Sequence, residues 1–258
     1  MDKLMSAYRN AKQKLEELYK TEQYQKNCQY FTSERDRLVE MAEQRLSQID
    51  RYKSDIEAAI VRTEYASGCK YLHRGYYCPS LLQDAVVDNV RRGNLRKQIT
   101  ARTKTYWEYG FNAEGQLICS ESIVTKTVAG EAYQLVTTRE FLFYEESRIY
   151  GITLRKDGTV EAITEEVLQD GKCISYTHCL CTSYEGVISC GEICSEYYDH
   201  RAEKLQAQWH SLNIPLQENI EFSKKMGWEP MTIPIYRKNR FLLEKKDGKY
   251  VLTENNER

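Results

Sequence analysis

Apolar and polar positions repeat with helical spacing through the first quarter of the chain. Residues 1–67 contain neither Gly nor Pro, the two residues that most disfavour a helix. The first apolar positions are spaced four, three, four and three apart, as in a heptad seam: Leu4, Tyr8, Ala11, Leu15 and Leu18. This spacing predicts a long amphipathic helix.

The helical pattern loses phase over residues 27–32 and begins again at Ser33, which is a suitable N-cap because Glu34 and Asp36 follow it. A second apolar stripe then extends to residue 60: Leu38, Ala42, Leu46, Ile49, Tyr52, Ile56 and Ile60. We predict an N-terminal helical hairpin over residues 1–67. The alternative is one continuous helix bent near Asn27.

The pattern changes to short apolar runs separated by turn residues between residues 97 and 198. The turns are Asn112–Gly115, Ala129–Gly130, Asp157–Gly158, Asp170–Gly171 and Glu185–Gly186. Asp-Gly between β-branched or aromatic runs is a strong hairpin signal. Parallel strands need long crossovers, so this spacing predicts an antiparallel meander of six or seven strands.

The rest of the chain is assigned to the same unit. A short helix is predicted at residues 79–92, C-terminal helices at about residues 199–226, and a final hairpin at residues 241–253, with a frayed tail after it. The predicted fold class is α+β, with the helical hairpin packed on the meander. The two predicted units are residues 1–67 and residues 68–258.

Composition excludes several classes of partner. The 258 residues include 37 Lys+Arg and 38 Asp+Glu, so the net charge is −1, which gives no bulk attraction to nucleic acid or to anionic membrane. No signal-peptide core or long apolar run is present. We therefore expect a cytoplasmic protein that binds neither nucleic acid nor membrane.

Nine cysteines without a secretory signal predict reduced thiols. A two-residue turn at Glu185–Gly186 would place Cys181 opposite Cys190, Cys179 opposite Glu192 and Thr177 opposite Cys194. Five cysteines would then share one face: Cys173, Cys179, Cys181, Cys190 and Cys194. Alternate residues on a strand lie about 7 Å apart, too far for a compact zinc site. We expect no metal and no cofactor.

Tyrosine is frequent, with 20 residues against nine Phe and Trp together. On the first predicted strand, Arg102, Lys104 and Tyr106 alternate with Trp107 and its neighbours. We place Arg102, Lys104 and Tyr106 on the wetter face of the sheet and Trp107 in the core. Because Tyr and Arg anchor protein interfaces, the predicted partner-binding residues are Arg102, Lys104, Tyr106 and Tyr144.

The segment from Trp107 to Leu117, WEYGFNAEGQL, resembles the YD-type repeat of Rhs-like proteins. The segments that start at Asp157, Asp170 and Asp247 match only its turn half. Short proteins that combine helices with such a meander are similar to immunity proteins encoded beside bacterial polymorphic toxins. The resemblance implies a bacterial protein that binds and neutralises a cognate toxin.

No Gly-rich phosphate loop, HExxH pair or ready-made acid/base couple occurs in the chain. We therefore expect a non-enzymatic protein that binds another protein. Two alternatives stay open. One is an enzyme or metal-dependent module that uses the Cys-rich hairpin at residues 173–194, and the other is an assembly factor or chaperone that oligomerises through its N-terminal helices.

Overall fold

A computed structural model describes residues 2–70, 72–87, 90–100, 102–128, 131–184, 187–246 and 249–253. Its strands form one antiparallel sheet in the order β12-β11-β10-β9-β8-β7-β6-β5-β4-β3-β1-β2. From β3 to β12 each strand pairs with the next along the chain. The predicted α+β class and antiparallel meander are therefore confirmed.

The strands are β1 (Arg62–Ser67), β2 (Asn94–Arg96), β3 (Thr105–Phe111), β4 (Leu117–Val128), β5 (Glu131–Glu145), β6 (Arg148–Arg155), β7 (Val160–Gln169), β8 (Lys172–Tyr184), β9 (Val187–Asp199), β10 (Leu205–Asn213), β11 (Ile235–Lys246) and β12 (Lys249–Leu252). The helices are α1 (Asp2–Tyr19), α2 (Glu22–Leu46), α3 (Ile49–Ala59), α4 (Gln83–Val86) and α5 (Gln217–Lys225), with a 3₁₀ turn at Gly75–Tyr77.

Helix α2 begins earlier than the sequence predicts. Thr21 is its N-cap and its hydroxyl accepts a hydrogen bond from the Tyr24 amide at 3.4 Å. The helix continues through Asn27 and Ser33, so the predicted break and N-cap there are wrong. Cys28 and Phe31 are buried on the same stripe as Leu38. The apparent loss of phase disappears once Cys28 is counted as a small hydrophobe.

Helices α1 to α3 cover one face of the sheet, which we call the helix face. The α2 stripe packs there against Phe141, Ile152, Ile163 and Ile193, all of which are wholly buried. Arg37 of α2 also reaches the sheet, where its guanidinium donates to both carboxylate oxygens of Glu165 at 2.9 and 3.1 Å. The N-terminal helices therefore share one core with the middle strands.

The strand count and several turns agree with the predicted meander. Seven strands, β3 to β9, lie between residues 105 and 199. Asp170 and Gly171 both have positive φ, 52° and 72°, as a type I′ hairpin requires. The predicted turns at residues 129–130, 185–186 and 247–248, and the predicted frayed tail at residues 254–258, lie outside the described residues.

Residues 62–67, predicted as helical, form β1, which pairs with β3. Residues 205–213, predicted as part of a helix, form β10, and only residues 217–225 of that region are helical. Both faces of β10 are buried, since Leu205 and Ala207 lie in one core cluster and Leu212 in the other. A strand buried on both faces lacks a clean polar alternation, so its apolar spacing imitated a helix.

The second face of the sheet is covered by residues 68–92, which we call the strap. Backbone hydrogen bonds between Lys70 and Arg91, at 2.8 and 3.1 Å, close it into a loop. Helix α4 has four residues, and the other described residues of the predicted helix over residues 79–92 are not α-helical. Strap residues fill the strap-face cores: Tyr77 packs with Tyr109, and Leu82 packs with Tyr176.

Candidate functional site

The four predicted partner-binding residues do not form one surface. Arg102 and Lys104 are exposed. Tyr106 is only 3% exposed, so its placement on a wetter face is wrong. It lies opposite Ile123 and contacts Tyr65 edge-on. Alternate side chains of β3 point to opposite faces of the sheet, and Tyr106 points to the helix face. Arg102 and Lys104 precede the strand and stay exposed to solvent.

The other aromatic residues of this region lie on the strap face. Trp107 is half-buried and stacks on Tyr109, with ring centroids 6.3 Å apart. Tyr144 is half-buried in the same cluster, and its hydroxyl donates to the Leu117 carbonyl at 3.0 Å. Tyr106 and Tyr144 therefore lie on opposite faces of the sheet and cannot contact one partner surface together.

The Cys-rich hairpin contains a disulfide. Cys181 and Cys190 are directly opposite and bonded, so the expected fully reduced set is wrong, while the predicted pairing of these two positions is confirmed. A register shift follows Leu180 and places Cys179 opposite Ile193 rather than Glu192. The shift occurs because Gly191 is an extra, unpaired residue on β9, which makes a β-bulge. The register predicted from a two-residue turn at Glu185–Gly186 did not include this bulge.

The shift also moves Cys194 to the strap face, where it lies opposite His178. Its thiol is 3.4 Å from the Glu192 carboxylate. Burial is the main cause that raises the pKa of Cys194, and the negative charge of that carboxylate raises it further. Burial lowers the pKa of His178 to about 4. A nucleophilic thiol needs a lowered pKa and a hydrogen-bonded base that can accept its proton. The pair is therefore a neutral thiol beside a neutral imidazole.

A cleft of about 350 Å³ opens beside this pair, between the strap and strands β8 to β11. Its lining is mainly apolar and aromatic: Leu82, Val86, Val87, Trp209 and Phe241, with His178, Glu192 and Cys194 among the polar groups. The Nδ1 atom of His178 is buried without a hydrogen-bond partner in the described part of the chain. Within that part, no group of three His, Cys, Asp or Glu side chains could hold a metal ion.

A buried ion pair fixes the strap to the sheet. Arg74 of the strap and Glu140 of β5 are 3% and 1% exposed. The guanidinium donates Nε to one carboxylate oxygen at 2.8 Å and Nη2 to the other at 2.7 Å. Burial alone would raise the pKa of Glu140, but the Arg74 charge, with help from His73 and Ser120, lowers it to about 2.

A second buried contact repeats this arrangement further along the strap. The Ser80 hydroxyl lies 2.8 Å from both oxygens of Glu196 on β9. Tyr198 donates to the same carboxylate. Burial raises the pKa of Glu196 even though these hydrogen bonds lower it. The strap is thus held by polar contacts at two points, neither of which the sequence pattern had marked.

An exposed aromatic pair, Phe222 and Trp228, lies at the C-terminal end of α5. We define the α5 patch as Phe222, Met226 and Trp228, which are 56%, 50% and 60% exposed. The rings of Phe222 and Trp228 meet edge to face, with centroids 6.1 Å apart. The hydrophobic pattern of the sequence did not mark Trp228. The available signal was an aromatic residue placed directly after Gly227, the glycine that follows the Met226 C-cap and has a φ of 71°.

Comparisons with known proteins add little to this geometry. No family model and no curated protein matches the chain. Similar solved structures include a protein of unknown function from Bacteroides fragilis, 12% identical, with a TM-score of 0.33 over 53% of this chain and 91% of that chain. Another is a porin-like protein from Bacteroides uniformis, 11% identical, with a TM-score of 0.23 over 57% and 86%. TM-scores this low assign neither a fold family nor a function.

None of the described helices is both long and apolar enough to cross a membrane.

Proposed function

We propose that this protein acts by binding another protein, without catalysing a reaction, and that the α5 patch is the principal contact. The observation that carries the proposal is the exposure of Phe222, Met226 and Trp228 together on one short segment. Aromatic residues and Met are enriched in interface centres, and Trp is the most frequent hot-spot residue. Exposed apolar clusters of this kind mark interaction sites.

The patch is held in place before any partner binds. The Trp228 amide donates to the Ser223 carbonyl at 2.8 Å, which closes the end of α5. Next to it, the carbonyl of Glu229 accepts from the Tyr8 hydroxyl at 3.0 Å, and its carboxylate pairs with Lys12 of α1. A preorganised contact surface supports affinity because less conformational entropy is lost on binding.

A bacterial toxin is the partner class that we propose, on the strength of the YD-like resemblance alone. In that role the protein would neutralise its partner stoichiometrically. Arg102 and Lys104 remain exposed and form a second surface for the same proposal, near the other end of the sheet. Tyr106 does not belong to either surface.

The test is a comparative pull-down from the native host followed by titration. Immobilised wild-type protein, Trp228→Ala and Tyr133→Ala are compared by quantitative mass spectrometry. Tyr133 is the matched control because it is 45% exposed on β5. Trp228→Ala should weaken binding of the purified partner by about 30-fold or more, the effect of a hot spot worth about 2 kcal/mol, with no change in melting temperature.

The toxin assignment needs a separate measurement. The captured protein, expressed alone, should arrest bacterial growth, and co-expression of this protein should restore growth at equal amounts. Loss of binding in Arg102→Ala and Lys104→Ala, with Trp228→Ala unaffected, would show that the α5 patch is the wrong surface. Catalytic turnover of a small-molecule substrate by the purified protein would contradict the whole proposal.

A further inference from the structure

The cleft between the strap and strands β8 to β11 has walls that are apolar and only partly covered. Its volume is about 350 Å³, at the lower end of the range for small-molecule sites. We call it the strap cleft. Val86 and Val87 line it from the strap and are 40% and 44% exposed. The sheet contributes Trp209 and Phe241, both half-buried. A small apolar ligand would cover these four side chains.

The register of the sheet gathers polar groups at one end of the strap cleft. His178 of β8 lies opposite Cys194 of β9, and Leu180 lies opposite Glu192. His178 and Glu192 are therefore diagonal neighbours on the strap face, and such neighbours on adjacent strands lie within about 7–8 Å of each other. One small ligand can contact both side chains.

This end of the strap cleft contains buried polar atoms without partners. The Nδ1 atom of His178 is one, and the hydroxyl of Ser211, opposite Cys194 on β10, is another within the described part of the chain. The His178 ring is stacked on Tyr176 with centroids 5.9 Å apart. Burial lowers the pKa of His178 to about 4, so its imidazole is neutral at pH 7 and has one nitrogen that accepts a hydrogen bond. A buried polar atom without a partner costs free energy, which a ligand with a suitable donor would recover.

The charge of the strap cleft is negative. Its described lining includes two carboxylates, Glu192 and Glu196, and no Lys or Arg. Glu196 is already occupied, since Ser80 and Tyr198 both donate to it. Glu192 accepts from the Cys194 thiol and forms no ion pair within the described part of the chain. A protonated amine is the group that complements such a carboxylate.

We propose that the strap cleft binds a small aromatic amine. The ring would lie against Val86, Val87 and Trp209, where apolar and aromatic contacts favour it. The ammonium group would lie beside Glu192 and donate to His178. The inference goes beyond the proposed function, because it assigns a small-molecule site that shares no residue with the α5 patch.

Other ligand classes fit the strap cleft less well. An anion would meet two carboxylates and no cation among the described lining residues. A metal ion lacks ligands, because no group of three His, Cys, Asp or Glu side chains in the described part of the chain could hold one. A purely apolar molecule would leave Glu192 and His178 without partners, and burying such groups unpaired is costly.

The experiment titrates the full chain with phenethylamine at pH 7 by isothermal titration calorimetry. We expect a dissociation constant below about 1 mM, which is within the range for so small a ligand. Glu192→Gln should weaken binding at least tenfold and His178→Phe at least threefold. The matched control is Glu114→Gln, an exposed carboxylate in the turn between β3 and β4, which should stay within twofold of wild type. Equal effects of Glu192→Gln and Glu114→Gln would overturn the assignment of the ammonium site.

Two further probes use the wild-type protein and do not depend on the folding of any variant. The first, 3-phenylpropionate, keeps the ring and replaces the ammonium group by a carboxylate. The second, butylamine, keeps the ammonium group and lacks the ring. Each should bind at least tenfold more weakly than phenethylamine. Equal binding of either probe would overturn the proposed selectivity for an aromatic amine.

The position of the probe is measured from the indole N–H signals of the three tryptophans in ¹⁵N NMR spectra, assigned with Trp107→Phe and Trp228→Phe. Phenethylamine should shift the Trp209 signal and leave the other two unchanged. A shift of the Trp228 signal alone would place the probe on the α5 patch and overturn the inference. Absence of phenethylamine binding, with retained Trp228-dependent partner binding, would refute only the strap-cleft inference and would leave water as the occupant of the cleft.

Discussion

Removing the charge of Glu140 should destabilise the protein more than any exposed charge substitution. Glu140→Gln keeps the shape of the side chain but leaves Arg74 charged and buried, with its guanidinium facing a neutral amide. Breaking a buried pair in this way costs about 3–5 kcal/mol. Glu166 lies 3.7 Å from the same guanidinium and compensates partly, so we expect a loss of about 3 kcal/mol.

The lowered pKa of Glu140 links the same ion pair to the pH dependence of stability. A decrease from 4.5 to about 2 corresponds to roughly 3 kcal/mol of preference for the charged form. Because the pKa is lower in the folded state, this stability is present above pH 4.5 and is lost as the pH falls toward 2. Glu140→Gln should lack that part of the acid dependence.

The assay is urea denaturation of purified variants at pH 7 and at pH 3.5. Glu22→Gln is the matched control because its pair with Lys26 is exposed, and it should change the free energy of unfolding by less than about 0.5 kcal/mol. Replacing both partners, Arg74→Met with Glu140→Leu, should recover most of the loss. A cost below about 1 kcal/mol for Glu140→Gln would refute the role of this pair in holding the strap.

Three further predictions concern stability. Tyr106→Ala should lower the free energy of unfolding by about 3 kcal/mol or more, measured by urea denaturation, whereas the exposed Tyr133→Ala should stay within about 0.5 kcal/mol; equal effects would contradict the burial of Tyr106. Burial, and then the nearby His73 charge, lower the pKa of His178 from 6.5 to about 4. The free energy of unfolding of the wild type should therefore fall as the pH drops from 6.5 to 4, and His178→Phe should show a shallower fall. Identical pH slopes for the two proteins would contradict the neutral, buried state of His178. Reduction of the disulfide between Cys181 and Cys190 should cost about 2–3 kcal/mol, and Cys181→Ser should be insensitive to reductant; alkylation of all nine cysteines in unreduced, unfolded protein would show that the bond does not form.

The sequence by itself determined the features that depend on neighbouring residues. Asp170-Gly171 specifies a tight turn because both positions need positive φ, and β-branched and aromatic runs on either side specify strands. Most of the long run without Gly or Pro specified helix in the same local way, although its last residues form β1. The antiparallel meander followed, since short turns allow no other connection.

Only the tertiary structure decided which face each side chain occupies and which distant residues meet. Tyr106 and Trp107 are adjacent in sequence, and packing against Tyr65 and Ile123 of the neighbouring strands leaves the first of them the more buried. Strand β10 lost its alternation because both of its faces are covered. Arg74 and Glu140 are 66 residues apart, so no local pattern could pair them. Their contact exists because the strap crosses the sheet, where an unpaired buried charge would be too costly to keep.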